Sequence, residues 1–114
     1  MDKLTCSSDG AGCLPTFDEN GRLEKMDIGR PISLLQTIQA LLKAGESLET
    51  FLPVFTANVA DVMSLSGRGR ILVGGHADLA VIDPVGHLVH LLAGGRIMVQ
   101  DGEPCERGCF ESNV

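Results

Sequence analysis

A chain of 114 residues with 44% apolar residues holds enough material for one packed domain and too little for two. Its formal net charge of -6 excludes a nucleic-acid backbone or an anionic membrane surface as partner, and with no Tyr or Trp it offers no stacking platform for bases. No apolar run approaches the roughly 20 residues of a membrane helix, and "MDKLTCSSDG" has neither the basic opening nor the apolar segment of a secretory leader. A cytoplasmic setting is expected, in which cysteines stay reduced. Cys6, Cys13, Cys105 and Cys109 lack the paired short spacings of a structural zinc site and read as small apolar side chains.

In chain order, residues 3–8, "KLTCSS", predict a short strand that runs into a loop. Residues 10–30 carry repeated glycines and the turn signal "DENG", which predicts a long irregular connection. A loop of that length in a compact domain more often serves function than mere linkage. Pro31 suits the first turn of a helix, and Ile32, Leu35, Ile38, Leu41 and Leu42 recur at helical spacing until Gly45. Ser47 then predicts the N-cap of a second helix, striped by Leu48, Leu52, Phe55, Val59 and Val62. Pro53 is expected to kink or split it. From Gly67 the runs "RILV", "ADLAVID", "HLVHLLA" and "RIMVQ" predict four strands in series, with Gly94-Gly95 as a hairpin turn. The first strand has no sequence-adjacent partner, so the order reads as the tail of a larger fold.

Few residues offer chemistry. His87 and His90 are three apart in a strand-like run, so they point to opposite faces and do not share a metal. His76 reads as a surface turn residue. "GAG" at 10–12 and "GRG" at 67–69 do not open a helix as a dinucleotide loop must. No histidine stands near Cys6, Cys13, Ser7 or Ser8 to activate a nucleophile. Asp9 remains: a carboxylate at the end of a predicted strand, opening a long loop, is where barrel enzymes place catalytic groups. The plain alternative is a polar turn.

Read whole, the sequence resembles the C-terminal portion of the isoaspartyl dipeptidases (β-aspartyl peptidases) of the amidohydrolase superfamily. "SSDGAGCLPTFDENG" resembles the segment after that family's last barrel strand. "SLETFLPVFTANVADVMSLSGRGRILVGGHADLAVID" resembles the superfamily's ending, with its Thr-x-Asn-x-Ala helix. "GGRIMVQDGEP" and "RGCFE" resemble the closing strands. The resemblance implies an α/β fold: the last strand and helices of a (β/α)8 TIM-like barrel at residues 1–66, and the C-terminal share of a small β-sandwich at 67–114. It implies that Asp9 is a metal ligand of a two-zinc centre and the catalytic proton acceptor. It also implies that Gly12 and Cys13 lie at the substrate. Cys13 stands where the family commonly has a serine that contacts the substrate carboxylate, and a thiol donates a weaker hydrogen bond. Cys109 stands where a threonine is usual.

The implied partner is a small β-aspartyl dipeptide, with no nucleic acid and no membrane, and homo-oligomerisation is expected of the full-length form. The family's other zinc ligands, two histidines in a His-x-His pair, a carbamylated lysine and two further histidines, have no counterparts here. The isolated chain is therefore expected to be inactive. Two alternatives stand beside this reading: a non-catalytic remnant kept for assembly, or the tail of a dihydroorotase-like or hydantoinase-like amidohydrolase.

Overall fold

In the computed structural model, which describes residues 1–111, residues 4–9 form no strand ladder. The strand expected at 3–8 is instead a segment laid beside a helix, where the Cys6 N–H donates to the Val54 carbonyl at 3.1 Å. The expected irregular connection is also corrected. Cys13–Phe17 (β1) and Leu23–Ile28 (β2) form an antiparallel hairpin, from Cys13 opposite Ile28 to Phe17 opposite Leu23. "DENG" closes it. The Asp18 carboxylate accepts the N–H groups of Asn20 and Arg22, both at 2.9 Å, and so stands in for a backbone turn. Pro15 is tolerated because each strand of a lone hairpin is an edge strand.

Ile32–Lys43 (α1) forms where the apolar periodicity places it, and Gly45, at φ +87°, ends it. The Glu46 N–H reaches back to the Leu41 carbonyl and the Gly45 N–H to that of Leu42, satisfying end carbonyls. Leu48–Phe55 (α2) follows an extended Ser47, whose hydroxyl bonds the Glu49 carboxylate at 2.6 Å rather than a backbone N–H. The break expected from Pro53 falls three residues later, at Thr56 (φ -130°, ψ -88°), and Ala57–Val62 (α3) resumes the helix.

The Thr-x-Asn-x-Ala pattern has a physical meaning here. The Thr56 hydroxyl donates to the Leu52 carbonyl at 2.9 Å across the break. Buried Asn58 donates to the carbonyls of Met1 and Leu4, at 2.8 and 2.9 Å, and so ties the N-terminal segment to α3. Buried Ala60 leaves room for Gly69, where a methyl group would come 2.7 Å from the Ala60 Cβ.

Leu79–Ile82 (β3), Leu88–Ala93 (β4), Arg96–Gln100 (β5) and Glu103–Pro104 (β6) form one antiparallel meander in chain order. Gly94 and Gly95, both at positive φ, turn β4 into β5 with Ala93 opposite Arg96. Asp101 and Gly102 repeat the device between β5 and β6, a strand beyond the four that the apolar runs predict. "RILV" is not the strand expected: residues 70–73 run through a loop with Ile71 85% exposed. Residues 107–111, "RGCFE", form a turn rather than a closing strand. The Asp83 carboxylate organises the β3–β4 turn by accepting the N–H groups of Val85 and His87. That turn touches α1, where the Gln39 amide donates to the Gly86 carbonyl at 3.1 Å.

The buried apolar core among the described residues is small, comprising Phe51, Val54 and Ala60. Phe51 and Phe55 meet edge to face at 6.2 Å. Beside them lies an open groove of about 410 Å³, walled by Leu4, Cys6, Leu41, Phe51, Val54 and Phe55. No helix among the described residues is long and apolar enough to cross a membrane.

Candidate functional site

Asp9 lies on an exposed turn between the N-terminal segment and β1, with φ +48°, and Ala11 follows at φ +65°. Positive φ is uncommon outside glycine, though Asp adopts it more readily than most residues. Such conformations persist where the surroundings enforce them. The hydrogen bonds at the hairpin base do so. The Gly12 N–H donates to the Asp9 carbonyl, the Ala11 N–H to that of Gly29 and the Gly29 N–H to that of Gly12, each at 2.8 Å. Asp9 is thus bonded directly to Gly12, and Gly29 pins the same turn through Ala11 and Gly12.

Two glycines give the turn its shape. A methyl group at Gly12 would overlap the Asp9 carboxylate, at 2.5 Å from Cγ and 2.6 Å from Oδ1. At buried Gly29 it would collide with the Asp9 backbone, overlapping the carbonyl oxygen and lying 2.9 Å from its carbon. The Gly12 N–H is engaged by Asp9, so what Gly12 provides here is space rather than a donor. Cys13 opens β1, exposed and with a free thiol, immediately beyond this turn. The structure therefore places Asp9, Gly12 and Cys13 at the base of one hairpin. Gly29 is the residue that sequence reasoning missed, because its role appears only once β1 and β2 pair. Reading "LEKMDI" as a strand would have found it.

His87 and His90 are occupied elsewhere. His87 Nδ1 lies 2.9 Å from the Asp83 carboxylate, and His90 Nδ1 accepts the Asp101 N–H at 3.2 Å. The backbone N–H of His87, above all, and its ring hold the Asp83 carboxyl below the usual carboxylate range. Cys109 is an exposed free thiol far along the chain. Among the described residues, no group of three or more His, Cys, Asp or Glu side chains could hold a metal ion. A catalytic zinc typically takes three protein ligands, so residues 1–111 by themselves do not fit a zinc centre. Asp9 offers a single carboxylate.

A hairpin, three helices and a four-stranded antiparallel sheet, in this order, make a mixed α/β structure. No protein-family model matches the chain. Solved structures do. The crystal structure of the β-aspartyl dipeptidase of the thermophilic, keratin-degrading Fervidobacterium islandicum AW-1, in complex with a β-Asp-Leu dipeptide, matches with a TM-score of 0.82 and 34% identity. A second structure of β-aspartyl dipeptidase from that organism matches with a TM-score of 0.74 and 28% identity. Each match covers 96% of this chain but only 29% and 26% of the respective dipeptidase chain. The resemblance read from the sequence is thereby borne out. The chain is similar, along nearly its whole length, to a portion of the β-aspartyl dipeptidases.

Proposed function

We propose that the chain is the C-terminal portion of a hydrolase that cleaves β-aspartyl (isoaspartyl) peptide bonds, with Asp9 as its catalytic carboxylate. The observation that carries this is the 34% identity and TM-score of 0.82 to a dipeptidase whose structure holds β-Asp-Leu, combined with the clamped turn that presents Asp9. In this reading the Asp9 carboxylate accepts a proton from the attacking oxygen and returns it to the departing amine. Cys13 and Gly12 lie at the substrate's edge. A zinc centre that includes Asp9 would draw its remaining ligands from beyond these residues, and such a centre would supply an acidified water.

The same reading makes residues 1–66 the end of a TIM-like barrel and residues 67–114 part of a small β-sandwich, in a cytoplasmic homo-oligomer that binds neither nucleic acid nor membrane. It gives the groove beside Phe51 a covering layer, namely the rest of the barrel. The isolated chain is then inactive. A non-catalytic assembly module is the second reading, favoured by the lack of a metal-binding cluster among the described residues.

A transplant separates the two. The matched portion of the Fervidobacterium dipeptidase is replaced by this chain, and β-Asp-Leu hydrolysis is measured. Activity that Asp9→Asn abolishes supports the hydrolase reading. A folded transplant with no activity supports the module.

A further inference from the structure

We propose that Gly12 and Gly29 are positioning residues for Asp9: together they form a side-chain-free slot that sets both the backbone and the carboxylate of that residue. The inference rests on the reading of Asp9 as the catalytic carboxylate and adds how it is aimed.

The two glycines act on different parts of Asp9. Gly29 is buried against the Asp9 backbone, and a methyl group there would overlap the Asp9 carbonyl oxygen and lie 3.0 Å from that of Ser8. The Asp9 carbonyl oxygen does not move without opening the turn, since it accepts the Gly12 N–H, and Gly29 is itself fixed because its carbonyl accepts the Ala11 N–H. Gly12 meets the side chain instead. Its missing Cβ is where the Asp9 carboxylate rests, and a methyl group would displace Oδ1, Oδ2 and Cγ together. A carboxylate can escape that contact by rotating about χ1, which leaves the fold intact. Neither Gly12 nor Gly29 has positive φ, so it is close approach, and not backbone freedom, that requires glycine at both. The hairpin thus has a purpose its wholly exposed strands do not otherwise explain. It returns Gly29 to Asp9 across a closed turn.

The test reads the geometry without turnover, so its outcome is independent of whether the hydrolase reading holds. In the isotopically labelled 114-residue chain, three-bond couplings from Asp9 Cγ to its own N and C′ report χ1, and a strong intraresidue HN–Hα Overhauser effect reports positive φ. The wild-type protein is expected to show one χ1 rotamer and the strong effect. Gly12→Ala is expected to change the χ1 couplings while keeping the melting temperature and the Asp9 HN–Hα effect. Gly29→Ala is expected to lose that effect. Wild-type χ1 couplings in a folded Gly12→Ala variant would overturn the proposal, even if Gly29→Ala fails to fold.

Discussion

Arg70 and Asp61 face each other through two parallel hydrogen bonds, Nη1 to Oδ1 and Nη2 to Oδ2, both at 2.8 Å. The pair fastens the loop after α3 to the helix itself, next to the contact of Gly69 with Ala60. The Arg70 hydrogen bonds hold the Asp61 carboxyl below its ordinary range. A carboxylate depressed in the folded state adds stability above its unfolded value, near pH 3.9, and loses it as pH falls through the folded value. Both groups face solvent, so the effect is small and sensitive to salt. The melting temperature of Arg70→Ala is expected to lie below wild type at neutral pH and to converge on it in acid. A gap that persists at about pH 2 would rule out this linkage.

Asn58 ties the N-terminal segment to the helices through two hydrogen bonds. Replacing it with Ala removes two hydrogen bonds from a buried position, which costs about 1–3 kcal/mol. Asn58→Asp is expected to be worse at neutral pH, because it sets a carboxylate against the carbonyls of Met1 and Leu4. Burial and those carbonyls raise the pKa of that new carboxyl, so part of the loss returns as pH falls. Urea unfolding of both variants at neutral and acidic pH checks the order. Equal stability of Asn58→Ala and wild type would show that the tie contributes nothing.

Glycines with positive φ differ by what surrounds them. Gly86, at φ +90°, has the Gln39 Cγ 2.9 Å and the Leu42 Cδ1 3.2 Å from where a Cβ would stand. Gly94, at φ +56°, has open space. Gly86→Ala is expected to cost about 1–3 kcal/mol from backbone strain and contact with α1. Gly94→Asn should be close to neutral, since Asn suits this turn. Denaturant midpoints of the two variants measure the difference, and the reverse order would refute the packing of the β3–β4 turn on α1.

Much of this architecture is legible in the sequence, for physical reasons that can be named. α1 shows itself because Leu35, Ile38, Leu41 and Leu42 share one face, and Gly94-Gly95 because two positive-φ residues are what a tight hairpin demands. The β1–β2 hairpin stays hidden. Its strands are exposed throughout, so no buried face imposes alternation, and Pro15 and the charges of "LEKMDI" argue against strand. The "DENG" turn is visible, but what it joins is not. "RILV" errs the other way: a β-branched run suggests a strand, yet Arg70 is committed to Asp61 and the run stays in a loop. At the candidate site, Asp9 stands out by position and resemblance. Gly29 does not, because closeness between residues distant in sequence leaves no local mark.

Asp9 itself is tested most directly in the transplant of this chain into the Fervidobacterium dipeptidase, by steady-state hydrolysis of β-Asp-Leu. The expected result is turnover in the parent transplant, loss of kcat by several orders of magnitude in Asp9→Asn, and loss of about 10²-fold in Gly12→Ala with KM little changed. A transplant in which Asp9→Asn turns over like its parent would contradict the role of Asp9 outright.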